Sequence, residues 1–224
     1  MKKTVLITGA TGNLGQAVVE EFSSNNYHVI GTVRNSASYP SEAFVEYHAV
    51  DLTNENSSLQ FVEKMISRHQ RIEAAALLAG GFVMGDLHTT TIADIEAMLK
   101  INFTTAYAIA RPLFEHMSNS GGGTIILVSS RQGLNPTLGL QALAYTLSKS
   151  MLSTLAGMLH EQGKKKKISV HLIAPGTIDT DLNRAAMPTA DFSSWVKPSV
   201  LAQHMVDICD QPFSINFNYI HTFY

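Results

Sequence analysis

A doubly wound α/β fold, one parallel sheet of about seven strands with helices on both faces, is predicted by three features of this sequence. Short β-branched runs alternate with longer stretches of helical periodicity. The first run ends on a glycine-rich turn that opens into a helical pattern. A length of 224 residues suffices for one sizeable core but not for a second domain of comparable size, so one domain over 1–224 is expected.

Taken in order, the strand candidates are Thr4–Thr8, Tyr27–Val33, Val45–Val50, Ala74–Ala79, Thr124–Ser129, Ile168–Ala174 and a terminal Ile215–Thr222. Their near-continuous apolar character suits a parallel sheet covered on both faces. Helices are expected over Asn13–Ser24, Glu55–His69, Ile92–Met117, Leu143–Gln162 and Pro198–Asp210. Gly121-Gly122-Gly123 follows a helix and precedes a strand, the reverse of a phosphate loop, and reads as a turn. Lys164–Lys167 lies between a helix and a strand and reads as a solvated turn.

Composition narrows the function. A net charge of -2 offers no general attraction for nucleic acid or anionic membrane, so any anion binding must be local. The N-terminal apolar run is too short for a signal peptide or a membrane span, and the protein is expected to be cytoplasmic. The single cysteine, Cys209, has no internal partner and reads as a small buried hydrophobe. The nine histidines show no i, i+4 pair on one helix, so no metal site is expected. Charged residues are only 15% of the chain against ~25% in typical globular proteins, which points to apolar surface covered by another subunit. The helix from Leu143 strengthens this, because Ala144, Leu147, Met151, Leu152, Leu155 and Leu159 spread over several of its faces. A homodimer or homotetramer is expected.

The segment Gly9–Gly15 reads GATGNLG, directly after the strand Thr4–Thr8 and before a helix. Gly9 permits a tight turn, Gly12 lets backbone approach a pyrophosphate, and Gly15 lets the helix pack against the sheet, as in a Rossmann dinucleotide site. The phosphates would then meet free N–H groups at the positive end of the helix. Where an NAD site would place a carboxylate at the end of the second strand, this chain has Arg34. A guanidinium pairs with a 2′-phosphate, so NADP(H) is preferred, with NAD(H) also possible.

Tyr145 and Lys149 share one face of the helix from Leu143. An ordinary phenol titrates too high for easy proton exchange at neutrality, but a nearby ammonium and a cationic nicotinamide favour the phenolate. Tyr145 is therefore the candidate general acid and base. Ser130, at the carboxyl end of the strand from Thr124, is placed to donate to a substrate oxygen.

In the order of these motifs the chain resembles the short-chain dehydrogenase/reductase family over essentially its whole length. The resemblance implies that Thr8, Gly9, Thr11, Gly12, Asn13, Leu14 and Gly15 surround the phosphates and that Asp51 and Leu52 lie by the adenine. It implies that Ala79, Gly80 and Gly81, with Pro175, Gly176, Ile178 and Thr180, line the dinucleotide towards its nicotinamide end. It further implies a tetrad of Asn102, Ser130, Tyr145 and Lys149. Tyr145 would exchange the proton and Ser130 orient the substrate oxygen. Lys149 would hold the nicotinamide ribose and lower the tyrosine pKa, and Asn102 would support a water-linked relay to Lys149.

The even G-x-x-G-x-x-G spacing, the segment Leu78-Ala79-Gly80-Gly81 and the segment Met187–Trp195 are similar to the dihydropteridine reductase branch of that family. That branch lacks a serine at the place of Ser130 and prefers NADH. Two small-molecule substrate classes therefore stay open, a carbonyl or alcohol and a quinonoid dihydropterin, with the segments 81–91 and 183–195 expected to hold the substrate. A catalytically silent NADP-binding redox sensor is the alternative from another class, and the intact tetrad argues against it.

Overall fold

A computed structural model describes residues 2–34, 39, 43–215 and 217–224. Seven strands form one all-parallel sheet: β1 (Thr4–Thr8), β2 (His28–Val33), β3 (Val45–Ala49), β4 (Ala74–Leu77), β5 (Gly123–Val128), β6 (Ile168–Pro175) and β7 (Ile220–Phe223). Their spatial order is β3-β2-β1-β4-β5-β6-β7. The chain thus builds outward from β1 in one direction, returns to β4 and builds outward in the other. A crevice opens at that reversal, beyond the carboxyl ends of β1 and β4, where open α/β sheets bind ligands.

Every residue of β1 is buried, as a strand covered on both faces requires. Its side chains alternate between two cores. Leu6 joins Ile125 and Leu127 of β5 under α2 (Glu55–His69), α4 (Thr105–Asn119) and α6 (Leu143–Gly163), whereas Val5 and Ile7 join Ile126 and Val128 under α1 (Asn13–Ser24) and α8 (Pro198–Asp210). Most expected element ends agree with the structure to within two residues.

Two expectations change. The long helix over Ile92–Met117 is divided into α3 (Ile92–Leu99) and α4 by a π-helical turn over Lys100–Thr104. A π turn accommodates one extra residue without breaking the run of apolar positions, so periodicity does not reveal it. The last strand begins at Ile220 rather than Ile215. Phe217 leaves the sheet and packs its ring on His160 and His171, with centroids 4.9 and 4.6 Å away. Two short helices follow loops that had carried no helical expectation, α5 (Arg131–Leu134) and α7 (Asp181–Ala186). No helix among the described residues is long and apolar enough to cross a membrane.

Candidate active site

The glycine loop departs from the carboxyl end of β1 at the reversal of strand order. Gly9 takes φ +66°, open to glycine at little cost, and a Cβ there would stand 3.1 Å from Ala79 Cα. A Cβ on Gly15 would collide with the Gly9 carbonyl oxygen and lie 2.8 Å from the Ala10 carbonyl carbon. The loop is therefore wound tightly enough that only glycine fits at its closing position. Gly12 is the N-cap of α1; no side chain caps that terminus and no acidic residue stands in its first turn. The first-turn amides are left for an anion, with the helix dipole favouring it. Thr8 Oγ1 accepts from the amides of Leu78 and Ala79 at 2.9 and 3.1 Å, fastening the crevice floor from β1 to the strand beside it.

Arg34 directly follows β2, is exposed, and pairs with no acid among the described residues. Asp51 is exposed and its Oδ1 accepts from Thr53 N and Oγ1 at 2.9 and 2.7 Å, bonds that hold its carboxyl below the usual range. Leu52 beside it is buried. On the other side of the crevice, Pro175 ends β6, the Gly176 amide donates to Phe223 O at 2.9 Å, and Thr180 caps α7 by accepting from Asn183 N. Ile178 bridges to Val196.

The four tetrad candidates arrive from three places. Asn102 sits fully buried inside the π turn. Its Oδ1 accepts from Gly81 N at 2.9 Å, and its Nδ2 donates to Gly81 O at 3.1 Å and Ser148 Oγ at 2.9 Å. A Cβ on Gly80 would lie 2.6 Å from Asn102 Oδ1 and 3.5 Å from Lys149 Nζ, so Gly80 occupies the narrow gap between them. Lys149 is buried, donates to Val128 O at 2.8 Å, and places its ammonium 5.8 Å from the Tyr145 ring centroid. Burial lowers its pKa to about 8. Ser130 follows β5 and caps α5 by accepting from Gly133 N at 3.2 Å; its hydroxyl lies close enough to the Tyr145 phenol to pull that group's pKa down.

Burial raises the Tyr145 pKa, and Ser130 opposes this only in part. The desolvation that moves the lysine down thus moves the tyrosine up, and in this state the residue is a phenol with a proton to give.

Several supporting residues carried no expectation. Ser148 passes the Asn102 bond on to Tyr145 O at 2.7 Å, and Ser129 Oγ donates to Lys149 O at 3.0 Å. Ser148 is three residues from Tyr145 on the same helix face, a spacing visible in sequence, but serine is too common for that spacing to single it out. Phe82, in the segment 81–91 expected to hold the substrate, lays its ring edge-on to Tyr145 with centroids 4.9 Å apart. The two segments expected to hold the substrate are both anchored. Gly85 pairs with the start of α6 through Gly85 N to Gln141 O at 2.9 Å and Leu143 N to Gly85 O at 2.8 Å, and Arg184 clasps Asp179 at 2.6 and 2.9 Å.

The chain is similar in sequence and in fold to known proteins. The family described as short chain dehydrogenase matches residues 3–191. A cyclic-di-GMP-binding biofilm dispersal mediator protein of Escherichia coli (strain K12) is 28% identical over 191 residues, covering 85% of this chain and 79% of that protein. The dihydropteridine reductase of Dictyostelium discoideum is 26% identical over 210 residues, covering 92% and 87%. Among solved structures, ElxO with NADP bound superposes with a TM-score of 0.89 at 22% identity, covering 100% of this chain and 97% of that one, a likeness of fold.

Proposed function

The chain belongs to the short-chain dehydrogenase family, and from that premise we propose that it is an NADP(H)-dependent reductase of a small carbonyl compound, working as a single domain. The observation that carries this reading is the meeting of the Tyr145 and Ser130 hydroxyls beside Lys149, at the carboxyl ends of the strands. The loop fits a dinucleotide: the positions that a Cβ would obstruct are glycine, and the first turn of α1 has its amides uncapped. Residues Gly9 to Gly15 would hold the pyrophosphate and Arg34 the 2′-phosphate. When bound, the dinucleotide supplies the hydride.

The chain's own residues manage the proton and the oxygen. Tyr145 enters as a phenol and gives its proton to the carbonyl oxygen as negative charge develops there. Ser130, fixed as the cap of α5, donates to the same oxygen. Lys149 supplies a buried positive charge that makes the departing proton easier to lose, and Asn102 holds the Gly81 loop and α6 at one separation. Oxidation of NADPH against a panel of aldehydes and ketones, followed by absorbance, tests the reading; no turnover with any member overturns it. The likeness to dihydropteridine reductase over 92% of the chain favours one second reading, a quinonoid dihydropterin as substrate, and this compound joins the panel. A dinucleotide sensor without activity would bind NADPH and turn over nothing.

Cofactor choice rests on Arg34. NADPH is expected to give the higher kcat/KM, and Arg34→Asp to reverse the order by roughly ten- to a hundredfold, the worth of one charge-assisted hydrogen bond. Equal or better use of NADH by the unaltered chain would show that Arg34 does not read the phosphate.

The assembly is a homodimer or homotetramer in the reducing cytoplasm, where the unpaired Cys209, its thiol held protonated by burial, is stable. Beneath α6, Ala144, Leu152, Leu155 and Ala156 face the sheet, while Leu147, Met151 and Met158 stay 43–58% exposed in one stripe. A second copy of the helix would cover that stripe. Leu147→Glu combined with Met151→Glu is expected to convert the oligomer to monomer in light scattering. A monomeric mass for the unaltered chain removes the proposal.

A further inference from the structure

At the end of the sheet opposite the glycine loop, three elements bring imidazole and carboxylate donors to one point. His28 opens β2, Glu46 is the second residue of the edge strand β3, and His69 ends α2. Sequence spacing could not reveal this group, because its members are far apart in the chain and meet only through the β2–β3 pairing and the return of α2. Glu46 is buried. Its Oε1 lies 2.6 Å from His69 Nε2 and 3.3 Å from His28 Nε2, and the three donor atoms all fall within 4.8 Å of one another. Arg68 Nη1 stands 2.8 Å from the other oxygen, Oε2. His48, two residues along β3, has its Nε2 3.2 Å from Oε2, but that nitrogen is buried in an orientation that makes no hydrogen bond.

We propose that His28, Glu46 and His69 form a binding site for one divalent transition-metal cation of the zinc class. Two imidazole nitrogens and a carboxylate oxygen are a zinc donor set, and metal–donor distances near 2.0–2.2 Å put neighbouring donors of a tetrahedral ion ~3.3 Å apart. The His28 separation from Glu46 Oε1 already has that value, and the His69 hydrogen bond opens when the ion replaces its proton. Arg68 alone would neutralise one carboxylate, which leaves the convergence of imidazoles on it without an electrostatic reason. More than half exposed, Arg68 has room to stay on Oε2 and orient the carboxylate from behind. The second histidine group of the fold does not converge in this way. His221 there spends one ring nitrogen on His171 at 2.9 Å and the other on His204 at 3.0 Å, giving a chain of rings rather than a cage.

The ion would tie the edge strand β3 to β2 and α2. It would sit at the start of β2, with Arg34 beyond the other end, about 20 Å away along the strand. Its role is structural.

The test uses the full chain without an affinity tag, stripped with chelator and titrated with Zn²⁺ and with Co²⁺. One Co²⁺ per chain is expected, with the intense visible absorption of a tetrahedral N/O site, and Zn²⁺ at about a hundredfold excess over its Kd is expected to raise Tm by about 5 °C or more. His28→Gln and His69→Gln should each weaken binding roughly tenfold or more, with His204→Gln, from the other histidine group, leaving it unchanged. Neither variant empties the core, and circular dichroism confirms folding before titration. Absence of both the Co²⁺ spectrum and the Tm shift overturns the proposal. So does metal binding that survives both His28→Gln and His69→Gln, or that His204→Gln weakens as much as they do.

Discussion

Tyr145→Phe is expected to lower the turnover of every accepted substrate by ~10²–10⁴ and to leave the Kd for NADPH nearly unchanged. The phenol is the proton donor in the proposed site, and burial keeps it protonated at neutrality. Its ring makes the edge contact with Phe82, and the phenylalanine ring preserves that contact, so the variant removes a proton rather than a shape. Ser130→Ala separates the two substrate classes. A carbonyl oxygen gathers negative charge and loses an oriented donor, whereas a dihydropterin ring spreads its charge over several atoms and loses little. Undiminished activity of Tyr145→Phe would remove the mechanism. Good dihydropterin turnover that ignores Ser130→Ala would move the substrate to that class.

Lys149→Met is expected to act in opposite directions on activity and on stability. Turnover should fall by at least ~10², because the buried charge beside Tyr145 disappears. Stability of the dinucleotide-free protein should rise. Depressing the ammonium from an ordinary lysine value to about 8 means that holding it charged in the folded state costs about 3 kcal/mol. Leaving the Val128 carbonyl without its donor takes back about 1–3 kcal/mol, so the net gain is of order 1 kcal/mol, or ~2–4 °C in Tm. The pH dependence fixes the cause. Because the folded pKa lies below the unfolded one, the unfolded chain binds more protons between about pH 8 and the ordinary lysine range. The stability contributed by Lys149 therefore rises with pH through that window and is at its minimum below it. The advantage of Lys149→Met should be largest below about pH 8 and shrink above it in thermal melts at several pH values. A variant less stable than the parent at neutral pH would show that the lysine is held by attraction rather than tolerated against desolvation.

Much of this molecule was legible in its residues because the signals were strong and local. β1 and α1 are bounded by a glycine turn whose dimensions exclude any other residue, and both came out at their expected ends. Tyr145 and Lys149 could be placed on one helix face from spacing alone. What was not legible depends on contacts distant in sequence. The sign of the Tyr145 shift follows from burial depth, which no window of sequence encodes. The Asn102–Ser148 bond joins residues 46 apart, and Glu46 meets His69 across 23. The start of β7 was misplaced because Ile215 and Phe217 carry strand-like residue types, yet Phe217 is drawn to two histidine rings. α7 had a readable signal in Thr180 followed by Asp181 and Asn183, a helix-start pattern that the neighbouring loop residues obscured.

The π turn over Lys100–Thr104 gives the site a vulnerability that differs from that of its side chains. It behaves as a one-residue insertion in a helix. Losing any single residue between Ile92 and Asn102 would let the backbone heal into an uninterrupted α-helix, more regular than the original. Each residue of an α-helix turns by about 100°, so the healed helix would keep the phase of the residues before the deletion but rotate those between the deletion and the turn by about that angle. Asn102 would leave the position from which it holds Gly81. Substitutions are therefore the gentler route of change in this segment, and a deletion that improves its local geometry would be the more damaging lesion.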